Sequence, residues 1–284
     1  GQPRSAGHTQ PDIPTHILQQ EALVRHACHH LRGMKTPPVS RGVSRRVTPL
    51  AGDRANARVV ALVQGLLEPH ELDAIEALGR AGFMRLGDLA YMRRSLPRAN
   101  GGRGAHRLRL SRPSRAGAHA AFGEAFVWPA GVVVRRLSDI SNNEHDALLA
   151  AALERSYIDT QDCPELCGLR EVADVLDSHR SVGDFDPALW WIIEYEGKPE
   201  GAMLLSACPE QQTVELVYLG ISPVLRGKGI GSAMLAMGLK ELTGRDEATI
   251  SCAVDMRNGP AMKLYTRAGF QEFSTRVPMV MGIR

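Results

Sequence analysis

The chain has 284 residues, a formal net charge of +3, 44% hydrophobic residues and only 5% aromatic residues. A chain of this length can form one large domain or two of ordinary size, each with a buried core. Because no apolar run reaches ~18 residues and the first residues lack the apolar core of a signal peptide, we expect neither a membrane-spanning nor a secreted protein, but a cytoplasmic one.

The N-terminal part of the chain alternates helix-like and strand-like segments. Residues 16–32 have the spacing of an amphipathic helix, and residues 57–67 (ARVVALVQGLL) are typical of a strand. Residues 70–92 predict a helix followed by strands. The same residues resemble the chain's own C-terminal stretch GPAMKLYTRAGFQEFSTRVPMVM when Gly82 and Phe83 are aligned with Gly269 and Phe270. The sequence therefore indicates an internal repeat.

A basic stretch separates this part from the rest of the chain. No acidic residue occurs between Asp88 and Glu124, while residues 93–115 contain eight arginines among Gly, Ala, Ser and Pro. This composition predicts a flexible linker, which we place at residues 96–126. Arginines also neutralise phosphates, so nucleic-acid binding is an alternative. We disfavour it because the stretch has no aromatic residues for base stacking.

The remaining residues alternate strands and helices in an order that predicts an α/β domain with a mixed sheet. We expect a hairpin turn over residues 197–201 (GKPEG), and a helix that begins after Asn258 as its N-cap and ends at Gly269. The predicted strands are 130–137, 189–196, 201–208, 213–221, 248–255 and a C-terminal strand, and the predicted helices are 142–157, 169–180, 231–243 and 258–270.

The five cysteines form neither a disulfide framework nor a complete metal site. They are odd in number and scattered through helix-like and strand-like segments, which favours reduced thiols. Cys163 and Cys167 could be half of a metal site, but no second Cys or His pair at ligand spacing accompanies them. We therefore expect no metal.

The stretch RGKGIG (226–231) stands where a predicted strand gives way to a helix. Alternate glycines let successive backbone N–H groups turn toward one ligand, and a helix N-terminus favours an anion such as pyrophosphate. Arg226 and Lys228 add positive charge. A Walker A loop requires Ser or Thr after Lys228, and a dinucleotide fingerprint requires Gly at position 232, where Ser232 stands. Both common nucleotide motifs are thus excluded.

RGKGIG resembles the Gln/Arg-x-x-Gly-x-Gly/Ala pyrophosphate loop of the N-acetyltransferase (GNAT) superfamily. NGPAMKLYTRAGF (258–270) resembles the Asn-x-x-Ala-x-x-Leu-Tyr-x-x-x-Gly-Phe block that follows the loop in that family. The resemblance covers residues 130–284. A narrower resemblance, to a branch of tandem GNAT proteins, lies in the stretches DCPELCGLR, FDPALWW and ELVYLGISP. The cofactor half is also distantly similar to mycothiol synthase. It implies the GNAT fold, a mixed central sheet flanked by helices.

The resemblance also implies that acetyl-CoA is the co-substrate, with its pyrophosphate on the loop amides and its pantetheine arm along the preceding strand. The backbone N–H near Leu219 would polarise the acetyl carbonyl. The residues that match cofactor-binding positions of the family are Leu219, Ile221, Arg226, Gly227, Lys228, Gly229, Ile230, Gly231 and Asn258.

Two side chains match catalytic positions. Tyr265 corresponds to the tyrosine that protonates the departing thiolate, a role that suits a phenol with a pKa near ~10. The alternative for Tyr265 is a packed helix residue. Glu215, a charged residue within an apolar strand, is our candidate for the base that deprotonates the acceptor amine, directly or through water; its alternative is an outward-facing surface position.

An acidic region between the first two helices of this half suggests that the acceptor is a cationic amine. From it we single out Asp162 and Glu165 as acceptor-binding residues. We expect the acceptor to be an amine-bearing small molecule or a peptide, and a homodimer is an open alternative. The acceptor itself does not follow from these residues.

The GNAT resemblance also gives an interpretation of the internal repeat. When the two blocks are aligned, Leu78 stands in place of Tyr265 and Glu71 in place of Asn258, and no glycine-rich loop precedes them. We therefore predict a degenerate, partial GNAT-like unit at residues 1–95, the linker at 96–126, and a catalytic GNAT domain at 127–284. The predicted function is direct acetyl transfer from acetyl-CoA to an amine; the alternative is a non-catalytic acyl-CoA-binding regulatory module.

Overall fold

The computed structural model of the protein describes residues 62–97 and 126–282. The predicted helix at 16–32 and most of the predicted linker lie outside these ranges. The described strands are β1 Leu62–Leu67, β2 Met84–Arg85, β3 Leu89–Ser95, β4 Val132–Arg136, β5 Trp190–Tyr195, β6 Lys198–Cys208, β7 Thr213–Ile221, β8 Thr249–Asp255 and β9 Gln271–Gly282. The helices are α1 Leu72–Arg80, α2 His145–Tyr157, α3 Val172–Arg180, α4 Ile230–Glu241 and α5 Gly259–Arg267.

All nine strands form one mixed sheet. Its order is β1-β9-β3-β8-β7-β6-β5-β4, and the short β2 pairs with β9. Neighbours are antiparallel except β7 and β8, which are parallel and joined through α4. The element order from β4 to β9 confirms the α/β prediction. None of the helices in the described part of the chain is long and apolar enough to cross a membrane.

The hairpin between β5 and β6 differs from its prediction. Tyr195 pairs with Lys198, so the loop is the two residues Glu196 and Gly197, with φ values of 50° and 75°. Two successive positive φ values are the signature of a type I′ turn. The predicted turn over 197–201 was therefore wrong, because Pro199 belongs to β6, at a shift in its register with β5.

Helix α5 begins and ends as predicted. The side chain of Asn258 accepts a hydrogen bond of 3.2 Å from the backbone N–H of Ala261, which caps the helix N-terminus. Gly269 has a φ of 85°, a conformation that stops a helix at little steric cost.

The internal repeat is visible in the sheet. The elements β1, α1 and β2 begin at Leu62, Leu72 and Met84, and β8, α5 and β9 begin at the equivalent Thr249, Gly259 and Gln271. Leu62 pairs with Gly282 just as Thr249 pairs with Ser95. The strands of the two repeats therefore alternate in the sheet. Strand β9 of the second repeat lies between β1 and β3 of the first, and β3 lies between β9 and β8. The three predicted domain ranges remain predictions, but the sheet is continuous across both described segments.

The sheet has two faces, which we name after the helices that pack on them. On the α4 face, the side chains of Met203 and Leu205 contact α4 at Gly238. On the α2 face, the Tyr218 hydroxyl lies 2.7 Å from the Ser156 hydroxyl of α2. Helix α5 also lies on the α4 face, because Arg94 donates a hydrogen bond of 2.7 Å to the carbonyl of Ala268 at the end of that helix. Arg94 pairs with Ile250, Ile250 with Val214, and Val214 with Ala207, which lies two residues from Leu205 on the α4 face.

Candidate active site

Strands β7 and β8 separate partway along their length. They pair only through Thr213–Glu215 and Thr249–Ser251, and the described residues beyond have no pairing with each other. A cavity of about 560 Å³ occupies the resulting wedge. It is lined by β7 from Leu216 to Ile221, by Ala253 and Val254 of β8, by the loop after α2, by the N-terminal end of α4 and by α5.

The glycine-rich loop forms one end of this cavity. Gly227 and Gly229 have φ values of 74° and 77°, in the left-handed region that favours glycine. Gly229 is the N-cap of α4, so the first N–H groups of that helix have no intrahelical acceptor. Gly227, Gly229 and Gly231 all line the cavity. The loop therefore fits a pyrophosphate through backbone amides and the helix dipole.

The two cations of the loop have partners within the protein, although Arg226 also lines the cavity. The guanidinium of Arg226 donates hydrogen bonds of 2.7–3.0 Å to four backbone carbonyls, at Ser156, Ile158, Asp159 and Ile221. Lys228 does not line the cavity, and its Nζ lies 5.6 Å from the centre of the Tyr195 ring. Arg226 thus ties the loop to the C-terminal end of α2, where a cation is electrostatically favoured.

We expect Arg226→Ala to loosen the loop, because four carbonyls lose a charged donor. The free energy of unfolding should fall by about 1–3 kcal/mol. Because the loop must then be ordered by the ligand, CoA affinity should fall by about tenfold. Denaturant unfolding and titration calorimetry measure the two effects. Lys228→Ala, which removes an equal charge from the same exposed loop, is the control; an equal loss of stability in both variants would contradict the assignment.

Tyr265 enters the cavity from α5. Its ring packs against Phe270 at a centroid distance of 5.6 Å, and only 6% of the residue is exposed. Within residues 62–97 and 126–282 its hydroxyl has no hydrogen-bond partner. Burial raises the pKa of Tyr265 well above its ordinary value, so the phenol stays protonated at neutral pH.

Glu215 lies at the vertex of the wedge, as the last residue of β7 that pairs with β8. It is buried and does not line the cavity. The Ser251 hydroxyl donates a hydrogen bond of 2.7 Å to its carboxyl group. Burial raises the pKa of Glu215 to about 8, although the bond from Ser251 opposes that rise. The structure thus places Glu215 behind the wedge and not on an outer surface.

A β-bulge brings Tyr218 to the same side of the sheet as Glu215. Leu204 pairs with Tyr218 and Leu205 with Leu216, so Val217 has no partner in this register. Tyr218 lines the cavity and its hydroxyl is bonded to Ser156. Sequence reasoning missed this residue, since a bulge leaves no sign in a run of apolar and β-branched residues.

The loop after α2 places one predicted site residue, Asp162, at the wall of the cavity. Asp162 lines the cavity and accepts a hydrogen bond of 2.9 Å from the backbone N–H of Asp255. The residue as a whole is exposed, and partial desolvation of its carboxyl group raises the pKa of Asp162. Asn258, Leu219 and Ile221 line the cavity as well, as predicted cofactor positions should.

Glu165 does not line the cavity. Its two carboxylate oxygens accept hydrogen bonds of 2.6 and 2.9 Å from Arg257, which also binds Asp255. A Cβ at Gly87 would lie 2.2 Å from the Arg257 Nε, so the turn between β2 and β3 packs directly against this ion pair. The N-terminal segment therefore supports the loop that borders the cavity. The role of Arg257 was not predicted.

A match to a known family lies in the C-terminal half of this chain. Residues 153–270 match the acetyltransferase (GNAT) family. The mycothiol acetyltransferase of Streptomyces coelicolor is 33% identical over 100 residues, which are 35% of this chain and 32% of that protein. The chain thus shares about a third of the length of the curated relatives it matches.

Two solved structures have low similarity over a longer range. A GCN5-related N-acetyltransferase from Sphaerobacter thermophilus superimposes with a TM-score of 0.46 at 20% identity, covering 78% of this chain and 60% of that one. A tandem GNAT protein from the clavulanic acid biosynthesis pathway superimposes with a TM-score of 0.45 at 11% identity, covering 78% and 63%.

Proposed function

We propose that the chain transfers an acetyl group from acetyl-CoA directly to an amine, since its residues 153–270 match the acetyltransferase (GNAT) family. The observation that carries this proposal is the wedge between β7 and β8. It has a glycine-rich helix N-terminus at one end, a buried phenol without a partner among the described residues along its wall, and a buried carboxyl group at its vertex.

The cofactor would lie along β7. Its pyrophosphate would be held by the backbone amides of residues 226–231, all of which except Lys228 line the cavity at the start of α4. Beyond Glu215, the edge of β7 toward β8 has no partner strand in the described register, so its backbone groups are available to the pantetheine arm. The N–H near Leu219 would then polarise the acetyl carbonyl.

The acid and the base would act from opposite faces of the sheet. The acceptor nitrogen attacks the acetyl carbon, the carbon–sulfur bond breaks, and Tyr265 protonates the departing thiolate. The raised pKa of Tyr265 does not prevent this step, because desolvation in the cavity would also raise the pKa of the CoA thiol and so keep the departing thiolate basic enough to take the proton. Glu215 would take the proton of the acceptor ammonium, through water.

The acceptor remains to be identified. Asp162 lines the cavity, where its carboxyl group would attract a cationic amine, whereas Glu165 is bound to Arg257 and supports the loop. We keep Asp162 as the proposed acceptor-binding residue. Since the curated relatives are mycothiol acetyltransferases, mycothiol without its acetyl group belongs in the first acceptor panel.

The deciding experiment has two stages. Mass spectrometry of the purified protein for bound CoA tests the cofactor, and mass spectrometry of products tests acetyl transfer to amines, peptides and deacetylated mycothiol. Bound CoA with an acetylated amine supports the proposal. Bound CoA without transfer to any acceptor would favour the alternative, a regulatory module that binds acyl-CoA. No CoA binding would contradict both.

The raised pKa of Glu215 gives a pH signature. If Glu215 is the base, kcat/KM should fall below a pH of about 8, since the carboxylate is then protonated. Glu215→Gln should lower the rate and remove this acidic limb. Glu210→Gln, a change of an exposed glutamate, is the control and should keep the limb. An unchanged acidic limb in Glu215→Gln would exclude Glu215 as the base.

The same variant also tests the burial of Glu215 without any substrate. The folded pKa of about 8 lies above the ordinary value of 4.5, so the folded protein holds a proton that the unfolded chain releases. The resulting stabilisation is complete below pH 4.5 and is lost as the pH rises to about 8. Between pH 5 and 9, urea unfolding should therefore show the wild type losing a few kcal/mol relative to Glu215→Gln.

A further inference from the structure

Glu215 raises a problem of proton release. A base must return its proton to solvent before the next turnover, yet Glu215 is buried behind the vertex of the wedge. When both substrates fill the cavity, the route through the wedge is closed. An exit through the protein, away from the cavity, would let Glu215 release its proton while the cavity is still filled.

A row of hydroxyl groups runs in that direction. The Ser251 hydroxyl donates to Glu215 at 2.7 Å, the Thr213 and Ser251 hydroxyls are 3.3 Å apart, and the Thr249 hydroxyl donates to Thr213 at 3.0 Å. The pairing of β7 with β8 places all four side chains on the α2 face. The row thus leads from the vertex toward the opposite end of both strands.

The row ends at solvent. Thr213 and Ser251 are each 4% exposed, whereas Thr249 is half-buried and pairs with the exposed Ser95 of β3. The Thr213 hydroxyl also lies 3.2 Å from the Thr249 carbonyl, so it can turn between acceptors. A chain of hydroxyls that can reorient is what proton transfer through a buried region requires.

The neighbours of Glu215 on β6 and β8 offer no such route. The Ser206 side chain, directly opposite on β6, is fully buried, and its hydroxyl has no partner in the described part of the chain. The nearby titratable groups on β6 and β8 are the thiols of Cys208 and Cys252. Burial raises the pKa of Cys208 to about 11 and that of Cys252 well above its usual range, so both stay protonated.

We propose that Ser251, Thr213 and Thr249 form a proton relay from Glu215 to solvent. The relay rests on the proposed function of Glu215 as the base. After Glu215 accepts the amine proton, it gives a proton to Ser251. Ser251 passes its own to Thr213, Thr213 to Thr249, and Thr249 to water. Each hydroxyl accepts one proton and gives one, and the carboxylate is restored.

The test compares two changes beside Glu215. Thr213→Val keeps the shape of the side chain and removes a hydroxyl from the middle of the row. Ser206→Ala removes a neighbouring hydroxyl that has no hydrogen-bond partner among the described residues. With CoA bound in the cavity at pH 6, the protonated carboxyl band of Glu215, identified by its loss in Glu215→Gln, is followed by infrared spectroscopy after dilution into D₂O. Its exchange should slow at least tenfold in Thr213→Val and stay unchanged in Ser206→Ala.

Turnover provides the second readout. With an acceptor that the wild type acetylates, Thr213→Val should lower kcat and enlarge its solvent isotope effect, and leave the KM for acetyl-CoA unchanged. Equal exchange rates in Thr213→Val and Ser206→Ala, or slow exchange with an unchanged kcat, would overturn the relay. If Thr213→Val does not fold, Thr249→Val at the solvent end is measured instead. The infrared result with bound CoA needs no acetyl transfer, so it separates failure of the relay from failure of the proposed function.

Discussion

Gly229→Asp is expected to abolish measurable CoA binding. The φ of 77° at Gly229 is strained for any other residue, and a Cβ there would lie 3.3 Å from the Phe126 ring. The new carboxylate would also place a negative charge at the N-terminus of α4, where the pyrophosphate is proposed to bind. Together these effects should weaken binding by at least about a thousandfold, as measured by titration calorimetry.

Two further variants separate shape from charge. Gly229→Ala keeps the strain without the charge and should weaken binding to an intermediate extent. Gly197→Asp introduces the same residue at a φ of 75° in an open hairpin turn, where a Cβ meets nothing within 4 Å, and should bind CoA normally. Unchanged CoA affinity in Gly229→Asp would contradict the assignment of the loop.

Tyr265→Phe should keep CoA affinity while kcat falls by roughly 10²–10⁴-fold, the usual contribution of a positioned general acid. The ring and its packing against Phe270 remain, and no hydrogen bond to another described residue is lost. The change therefore removes only the proton that the thiolate needs. Steady-state kinetics with the best acceptor, together with calorimetry of CoA binding, measure both quantities.

Tyr218→Phe is the matched control for Tyr265→Phe. Tyr218 lines the same cavity, but its hydroxyl is already bonded to Ser156, so its loss should change kcat only a few-fold. If Tyr265→Phe kept full turnover, the thiolate would have to be protonated by solvent, and Tyr265 would have only a packing role.

The helices and strands from β4 to β9 could be predicted because their signals are local. The apolar spacing of α4, the Asn258 cap and the positive φ at Gly269 depend on neighbours within a few residues. The turn at Glu196 was missed because a non-glycine residue there adopts a positive φ. A type I′ turn favours Gly, Asn or Asp at that position, so the prediction placed the turn on Gly197 and Pro199 instead.

The site was predicted at the level of its backbone but not of its charged side chains. The loop and the cavity-lining residues of β7 follow from a motif and its place after a strand. The partners of Arg226 and Glu165 do not, since Arg226 meets the end of α2 and Glu165 meets Arg257 only after distant segments come together. A charged side chain can reach several partners, and tertiary packing decides which one it binds.

The alternation of strands from the two repeats also sets the order in which the protein can fold. During synthesis β1 and β3 emerge first, but β3 finds its neighbours only when β8 and β9 have been made, as in the pairing of Ser95 with Thr249. Contacts so distant in sequence carry a large loop-closure entropy and fold slowly. Until then the edges of β1 and β3 lack these partners, a state that favours aggregation. Early folding intermediates of the N-terminal segment, which supports the loop beside the cavity, therefore depend on the last strands of the chain for their pairing partners.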